Sequence, residues 1–169
     1  MAVIASLVLG ADGSSTLRGN SAAISTPIDR KRFLARRRLC DVIIVGGKTA
    51  RADGYLITPV PLVIISHSRP DLLDKNPKAH WWMMPATEAI ARAKKEFGPT
   101  VSIEGGISMI SELLEAGDIS QLEFSVSPRT GGENKIDREK LISYFEKVEK
   151  ELVAETIFYT CTEPVAKTR

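Results

Sequence analysis

Val101-Ser102-Ile103-Glu104-Gly105-Gly106-Ile107-Ser108 is the stretch on which the reading of this chain turns. A short apolar run closes on two glycines, and residues suited to a helix follow. An earlier stretch, Asp41-Val42-Ile43-Ile44-Val45-Gly46-Gly47-Lys48-Thr49, has the same form. Each reads as a buried strand, a glycine turn and a following helix. Such a turn leaves bare backbone N–H groups near a helix N-terminus, where close approach is unobstructed and the helix dipole favours negative charge. Two of them in one small domain suit a ligand with a long anionic middle, such as a dinucleotide.

Outward from these turns, apolar runs at 2–9, 62–65, 81–84, 122–126 and 156–159 read as further strands. Residues 14–27 read as a loop. A helix is expected from Pro27, a favoured first helical residue, to near Leu39, and a short one over 49–53. Thr87 is expected to cap a helix with Ile90, Ala93 and Phe97 on one face, stopped by Gly98-Pro99. Ile107, Ile110, Leu113 and Leu114 line another helix, ended by Gly117. Asp137 is expected to cap a long helix with Leu141, Ile142, Phe145, Val148 and Leu152 on its core face. Strands alternating with helices imply an α/β class with a mostly parallel central sheet flanked by helices, and an antiparallel C-terminal strand. Ligands of such sheets bind beyond the carboxyl ends of the strands, where both glycine pairs fall.

The 169 residues fit a single domain with a sizeable core. With 43% hydrophobic and 26% charged residues, a folded domain is expected. A net charge of +2 does not point to nucleic acid as a partner. The basic residues Arg30, Lys31, Arg32, Arg36, Arg37 and Arg38 nevertheless crowd one stretch. Cys40 and Cys161 have no paired spacing, which argues against a disulfide framework or a metal site and for a reducing cytoplasm. The apolar start has no Lys or Arg before it and is too short for a membrane span, so it reads as a first buried strand.

Several signatures fail. Gly47-Lys48-Thr49 resembles the end of a P-loop, but Val42 stands where the first glycine belongs. No Gly-x-Gly-x-x-Gly follows a strand. Neither His67 nor His80 begins a zinc-deaminase motif, and no Gly-x-Ser-x-Gly elbow occurs.

One ordered set of motifs resembles the riboflavin-biosynthesis reductases, the reductase half of the bifunctional deaminase–reductases. It begins with Asp12-Gly13, Gly19-x-Ser21-x-x-Ile24-x-x-Pro27 and Arg37. It continues through Val42-x-x-Val45-Gly46-x-x-Thr49-x-Arg51-Ala52-Asp53-Gly54-Tyr55. Glu104-Gly105-Gly106, Leu113-Leu114-x-Ala116-Gly117 and Ser127-Pro128 complete it. The resemblance implies a dihydrofolate-reductase-like fold and NADPH-dependent reduction of a phosphorylated ribosylamino-pyrimidine, with hydride delivered to the sugar C1′. It also implies a small-molecule substrate and a homodimer, with neither nucleic acid nor membrane as partner.

On that resemblance Gly46, Gly47, Thr49 and Asp53 meet the cofactor from one turn, and Gly105, Gly106, Ile107 and Ser108 from the other. Close packing of helix on sheet would call for the same glycines. Ser66 and Arg69 follow the third strand, and an arginine there suits a 2′-phosphate. Ser21 and Arg37 match substrate-binding positions, Arg37 being the expected partner of the substrate phosphate through a bidentate grip. Three consecutive arginines cannot share one helix face at 3.6 residues per turn, so one of Arg36, Arg37 and Arg38 is expected to point away from open solvent. Glu104 ends an apolar strand, where a carboxylate is costly unless exposed or paired. A substrate contact with a catalytic role fits, as does a salt bridge to an arginine. Asp12 suits substrate orientation or proton relay, and equally an ordinary turn.

The family pattern breaks on the substrate side. Ser6 and Gly10 stand where many members carry Lys and Ser, and Ala23 replaces a common aromatic. Leu56-Ile57-Thr58-Pro59 lacks the arginine of the family's Leu-Thr-x-Arg stretch. A catalytically drifted nucleotide-binding module and another dihydrofolate-reductase-like oxidoreductase therefore remain alternatives.

Overall fold

A computed structural model describes residues 2–52 and 54–167; the expected cofactor residue Asp53 lies outside the described residues. β3 (Val42–Gly46) is buried along nearly its whole length, as an apolar run without alternation requires of a strand covered on both faces. It lies between β4 (Leu62–Ile65) and β6 (Thr100–Glu104) in an eight-stranded sheet. β5 (Ala79–Trp82) flanks β4, and β1 (Ala2–Gly10) and β7 (Gln121–Ser127) follow β6. These six strands are mutually parallel. β10 (Thr156–Pro164) then runs antiparallel to β7, and β9 (Phe145–Val153) closes the edge antiparallel to β10. The α/β class, the parallel centre and the antiparallel C-terminal strand are as the sequence implies.

The two faces of the sheet differ, and the difference places the site. One face carries Val3, Ala5, Val101, Ile103, Leu122 and Phe124, packed under α3 (Ala86–Glu96) and α4 (Ile107–Ala116). The opposite face is apolar only at one side, where Ile43, Val45, Leu62 and Ile64 pack with Tyr55 and α2 (Gly47–Ala52). Over β6, β1 and β7 it becomes polar. The register sets Glu104 beside Ser6, Ser6 beside Glu123, and Val8 beside Ser125. α1 (Pro27–Arg37) crosses this polar face, capped at its start by the Thr26 side chain. Its buried residues are Asp29 and Arg37, the reverse of an ordinary amphipathic helix.

The long helix expected after Asp137 is not formed. Asp137 does cap a helix, accepting from the Glu139 and Lys140 N–H groups, but α5 (Arg138–Ile142) ends after five residues. The chain then pairs with β10 from Phe145 opposite Pro164 to Val153 opposite Thr156. Val148 and Leu152 are 36% and 69% exposed, so the helical stripe they would complete faces no core. The free edge of β10 offers a full ladder of hydrogen bonds, and that outweighs helical spacing. Glu146, Lys147, Glu149, Lys150 and Glu151 leave the new edge highly charged, which discourages further strand addition.

The β9–β10 connection is a two-residue hairpin loop in which Ala154 and Glu155 both have positive φ, 46° and 65°. An L residue in this region costs roughly 1–2 kcal/mol, and Asn-Gly is the favoured pair. Replacing Ala154-Glu155 with Asn-Gly is therefore expected to raise stability by about 1–2 kcal/mol, read as a higher urea midpoint at unchanged slope. An unchanged or lower midpoint would contradict this account of the loop.

Smaller expectations also move. Part of the loop over 14–27 is a strand, β2 (Ser14–Thr16), paired with β8 (Glu133–Lys135). Thr87 is not the cap of α3: Pro85 holds that position, and the Thr87 hydroxyl bonds Asp118 at 2.9 Å. α2 begins at Gly47 rather than Thr49. Among the described residues no helix is long and apolar enough to cross a membrane, and no cluster of His, Cys, Asp or Glu is placed to hold a metal ion.

Candidate active site

The two glycine turns meet. β3 and β6 are neighbours in the sheet, so their carboxyl ends stand side by side and Thr49 packs against Gly105. A Cβ at Gly105 would overlap the Thr49 Cγ2 methyl. At Gly47 a Cβ would come within 2.6 Å of the Ser66 Cβ. Gly105 and Gly106 have φ of 66° and 78°, a conformation that favours glycine. Gly106 precedes α4 without any side-chain cap. The N–H groups of Ile107, Ser108 and Met109 are therefore the uncapped donors of a helix end, and these residues line a cavity of about 550 Å³.

That cavity unites most of the residues singled out in the sequence: Ser21, Gly46, Gly47, Thr49, Glu104, Gly105, Gly106, Ile107 and Ser108. The polar sheet face contributes Ser6, and α1 contributes Asp29, Arg30, Phe33 and Arg36. The cavity thus has a glycine-rich half suited to phosphates and a charged half under α1.

Four expected site residues stand elsewhere. Arg37 does not line the cavity. Its Nε lies 3.0 Å from both Glu104 oxygens and its second terminal nitrogen 2.6 Å from Oε2. The guanidinium carbon lies 4.5 and 4.8 Å from the ring centroids of Phe33 and Tyr55. Burial works to lower its pKa, but the Glu104 carboxylate outweighs burial and holds it above the ordinary value. Its bidentate grip is spent on Glu104, so the salt bridge is formed and the expected hold on a substrate phosphate does not fit this geometry. Glu104, only 1% exposed, both closes this pair and faces the cavity.

Asp12 accepts from the Ser14 hydroxyl and N–H and from the Gly131 N–H, with Lys135 at 3.7 Å. The Ser14 and Gly131 hydrogen bonds hold its carboxyl far below the usual carboxylate range, which is wrong for a proton relay. It ties the turn after β1 to the loop before β8. Arg69 forms an exposed ion pair with Asp74 at 2.7 Å. Ser66 bonds the Ser68 carbonyl at 2.6 Å and buttresses Gly47 from outside the cavity. Neither has the placement expected of a cofactor ligand.

The sequence reading passed over Asp29, Arg30, Phe33 and Arg36 as cavity residues. A signal was present: Asp29, Phe33, Arg36 and Arg37 recur at helical spacing, so charge occupies what would be a core stripe. Burial pushes both the Cys40 and the Cys161 thiols up to about 11, which removes them as nucleophiles at neutral pH.

Residues 1–152 match the family model of the RibD C-terminal domain. No curated protein matches the chain. Among solved structures, a pyrimidine reductase-like protein of Corynebacterium diphtheriae superposes with a TM-score of 0.75 at 16% identity, covering 98% of this chain and 92% of that one. A diaminohydroxyphosphoribosylaminopyrimidine deaminase/5-amino-6-(5-phosphoribosylamino)uracil reductase of Thermotoga maritima superposes at 0.70 with 14% identity, over 96% of this chain and 56% of that one. RibD of Acinetobacter baumannii gives 0.69 and 14% over 98% and 58%. At these identities the structures establish the fold, while the ordered motifs and the family model over nearly the whole chain establish kinship. The chain belongs to the RibD C-terminal domain family, the reductases of riboflavin biosynthesis.

Proposed function

We propose that this protein reduces a phosphorylated ribosylamino-pyrimidine to its ribitylamino form with NADPH, a reaction of the 5-amino-6-(5-phosphoribosylamino)uracil reductase type. The observation that carries this reading is the meeting of two glycine turns at the head of one cavity whose other half is polar. When bound, the nicotinamide cofactor supplies the hydride, delivered to the sugar C1′. The residues fit such a group. Gly46, Gly47, Gly105 and Gly106 allow close approach of a pyrophosphate, and the uncapped N–H groups of Ile107 and Ser108 receive its charge. Thr49 holds the two turns together.

On the substrate side Ser6, Ser21 and Glu104 present polar groups to the sugar and the base. Arg37 holds the Glu104 carboxylate in one orientation, so that it accepts a hydrogen bond from a substrate hydroxyl or amine without reorganising. Phe33, Arg30 and Arg36 line the cavity from α1. A cytoplasmic homodimer belongs to the same reading.

The engagement of Asp12 and Arg37 favours a second reading, a nucleotide-binding module that has lost turnover. The two separate cleanly. NADPH at a hundredfold its dissociation constant is expected to stabilise the protein by about 2.7 kcal/mol, seen as a rise in Tm larger than with equal NADH. Oxidation of NADPH with the phosphorylated pyrimidine establishes the reductase. Binding without oxidation would favour the module, and no shift with either nucleotide would overturn both.

A further inference from the structure

α1 turns three charged side chains toward the polar sheet face, and two of them are fully engaged. Asp29 accepts from the Ser25 hydroxyl at 2.5 Å and from the Ser125 hydroxyl at 2.6 Å, one at each oxygen. Arg37 is committed to Glu104. Arg36 is not so engaged. Its Nε is shielded from solvent and has no hydrogen-bond partner, and its side chain lines the cavity.

The carboxylates whose charge it feels are Glu123, Asp29 and Glu104, and each is satisfied by other groups. Glu123 takes the Gln121 amide at 2.5 Å and the Thr160 hydroxyl at 3.0 Å. Among the described residues none lies within salt-bridge distance of Arg36. Burial therefore dominates at this guanidinium and lowers its pKa from the ordinary value. An Nε–H shut off from water without an acceptor is costly unless a ligand supplies one, and Arg36, half-buried, presents that group at the cavity wall. Arg30, exposed on the same helix, lines the cavity as well.

We propose that Arg36, with Arg30 at the rim, receives the phosphate oxyanion of a sugar-phosphate substrate. The inference rests on the reductase reading of this cavity and assigns its anion to a residue other than Arg37. The cofactor phosphates are the other source of the same chemistry. The glycine turns and the α4 N-terminus already offer them donors, whereas among the described residues no cation but Arg36 has a side-chain nitrogen shut off from water without a hydrogen-bond partner.

The test observes the arginine Nε–H resonances of the whole protein by 15N–1H spectroscopy, with Arg36 assigned by the loss of its signal in Arg36→Lys. Ribose 5-phosphate is expected to displace that resonance, while ribose and NADP+ leave it in place. Arg36→Gln is expected to weaken ribose 5-phosphate at least tenfold and leave NADPH affinity within twofold, with Arg36→Lys intermediate because it keeps the charge but not the fork. Displacement by NADP+ alone, no displacement by ribose 5-phosphate, or equal weakening of both ligands in Arg36→Gln would overturn the assignment. Turnover of the phosphorylated pyrimidine separates the two readings. If ribose 5-phosphate moves Arg36 but no NADPH is oxidised, the anion site stands and the reductase reading falls. If the pyrimidine is turned over with KM unchanged in Arg36→Gln, the reductase reading stands and this site falls.

Discussion

Replacing Glu104 with alanine is expected to lower stability by about 3–5 kcal/mol and to abolish NADPH oxidation. The stability loss comes from the partner left behind. Arg37 is 5% exposed and lies against the Phe33 and Tyr55 rings, so without Glu104 its charge is buried without a carboxylate partner. For a domain of this size the change corresponds to a fall in Tm of roughly 6–20 °C. The double variant Glu104→Gln with Arg37→Met tests the origin of the loss, because replacing a whole buried pair by groups of similar volume is often nearly neutral. It is expected to recover most of the lost stability while leaving activity absent. Recovery of both would show that Glu104 serves only the fold. Recovery of neither would show that the carboxylate is held by more than Arg37.

Gly105→Ala carries the second large effect, and it falls on the glycine-rich half of the cavity, where we propose the cofactor binds. At φ 66° an alanine pays roughly 1–2 kcal/mol for the left-handed conformation, and its Cβ overlaps the Thr49 Cγ2 methyl. To relieve the overlap the two turns must separate, and the uncapped N–H groups of α4 move out of register with a pyrophosphate. NADPH affinity is expected to fall at least tenfold, equivalent to about 1.4 kcal/mol, measured by the ligand-induced rise in Tm. The double variant Gly105→Ala with Thr49→Ser removes the overlapping methyl and retains the hydroxyl. It is expected to regain affinity while keeping the conformational cost in stability. Affinity that stays lost in the double variant would place the damage in the backbone of the turn rather than in its contact with Thr49.

The elements read correctly from the sequence are those whose pattern is local. An unbroken apolar run such as Val42-Ile43-Ile44-Val45 fits a strand covered on both faces and little else. A threonine followed by a proline marks a helix start without reference to the rest of the chain. The glycine pairs were legible for the same reason, since two adjacent glycines before a helix state a backbone requirement. The segment 138–153 was misread because its apolar spacing suits a helix, while its conformation depends on β10, a strand it meets only through the hairpin at Ala154-Glu155. Local spacing carries no information about a free sheet edge.

The site divides along the same line. Gly46, Gly47, Thr49, Gly105 and Gly106, which line the cavity together, stand out in the sequence because a glycine turn is written in consecutive residues. Arg37 was matched to its position but not to its partner: Glu104 lies 67 positions away, and no spacing rule connects them. Nor does any local rule distinguish Arg36 from Arg37 and Arg38. One turns its donors to a cavity, one to a carboxylate and one to solvent, according to where α1 crosses the sheet.

By itself the sequence determined the α/β class, the two glycine turns and the kinship that names the chemistry, because each resides in short, ordered runs of residues. The tertiary structure alone decided that β3 and β6 are neighbours, that Thr49 joins their turns, and that the charged face of α1 covers the polar face of the sheet. The reason is physical. A strand's conformation follows from its own residues, but its neighbours follow from which apolar faces the whole chain can bury together. The residues left facing one another where that burial ends are the ones that form the site.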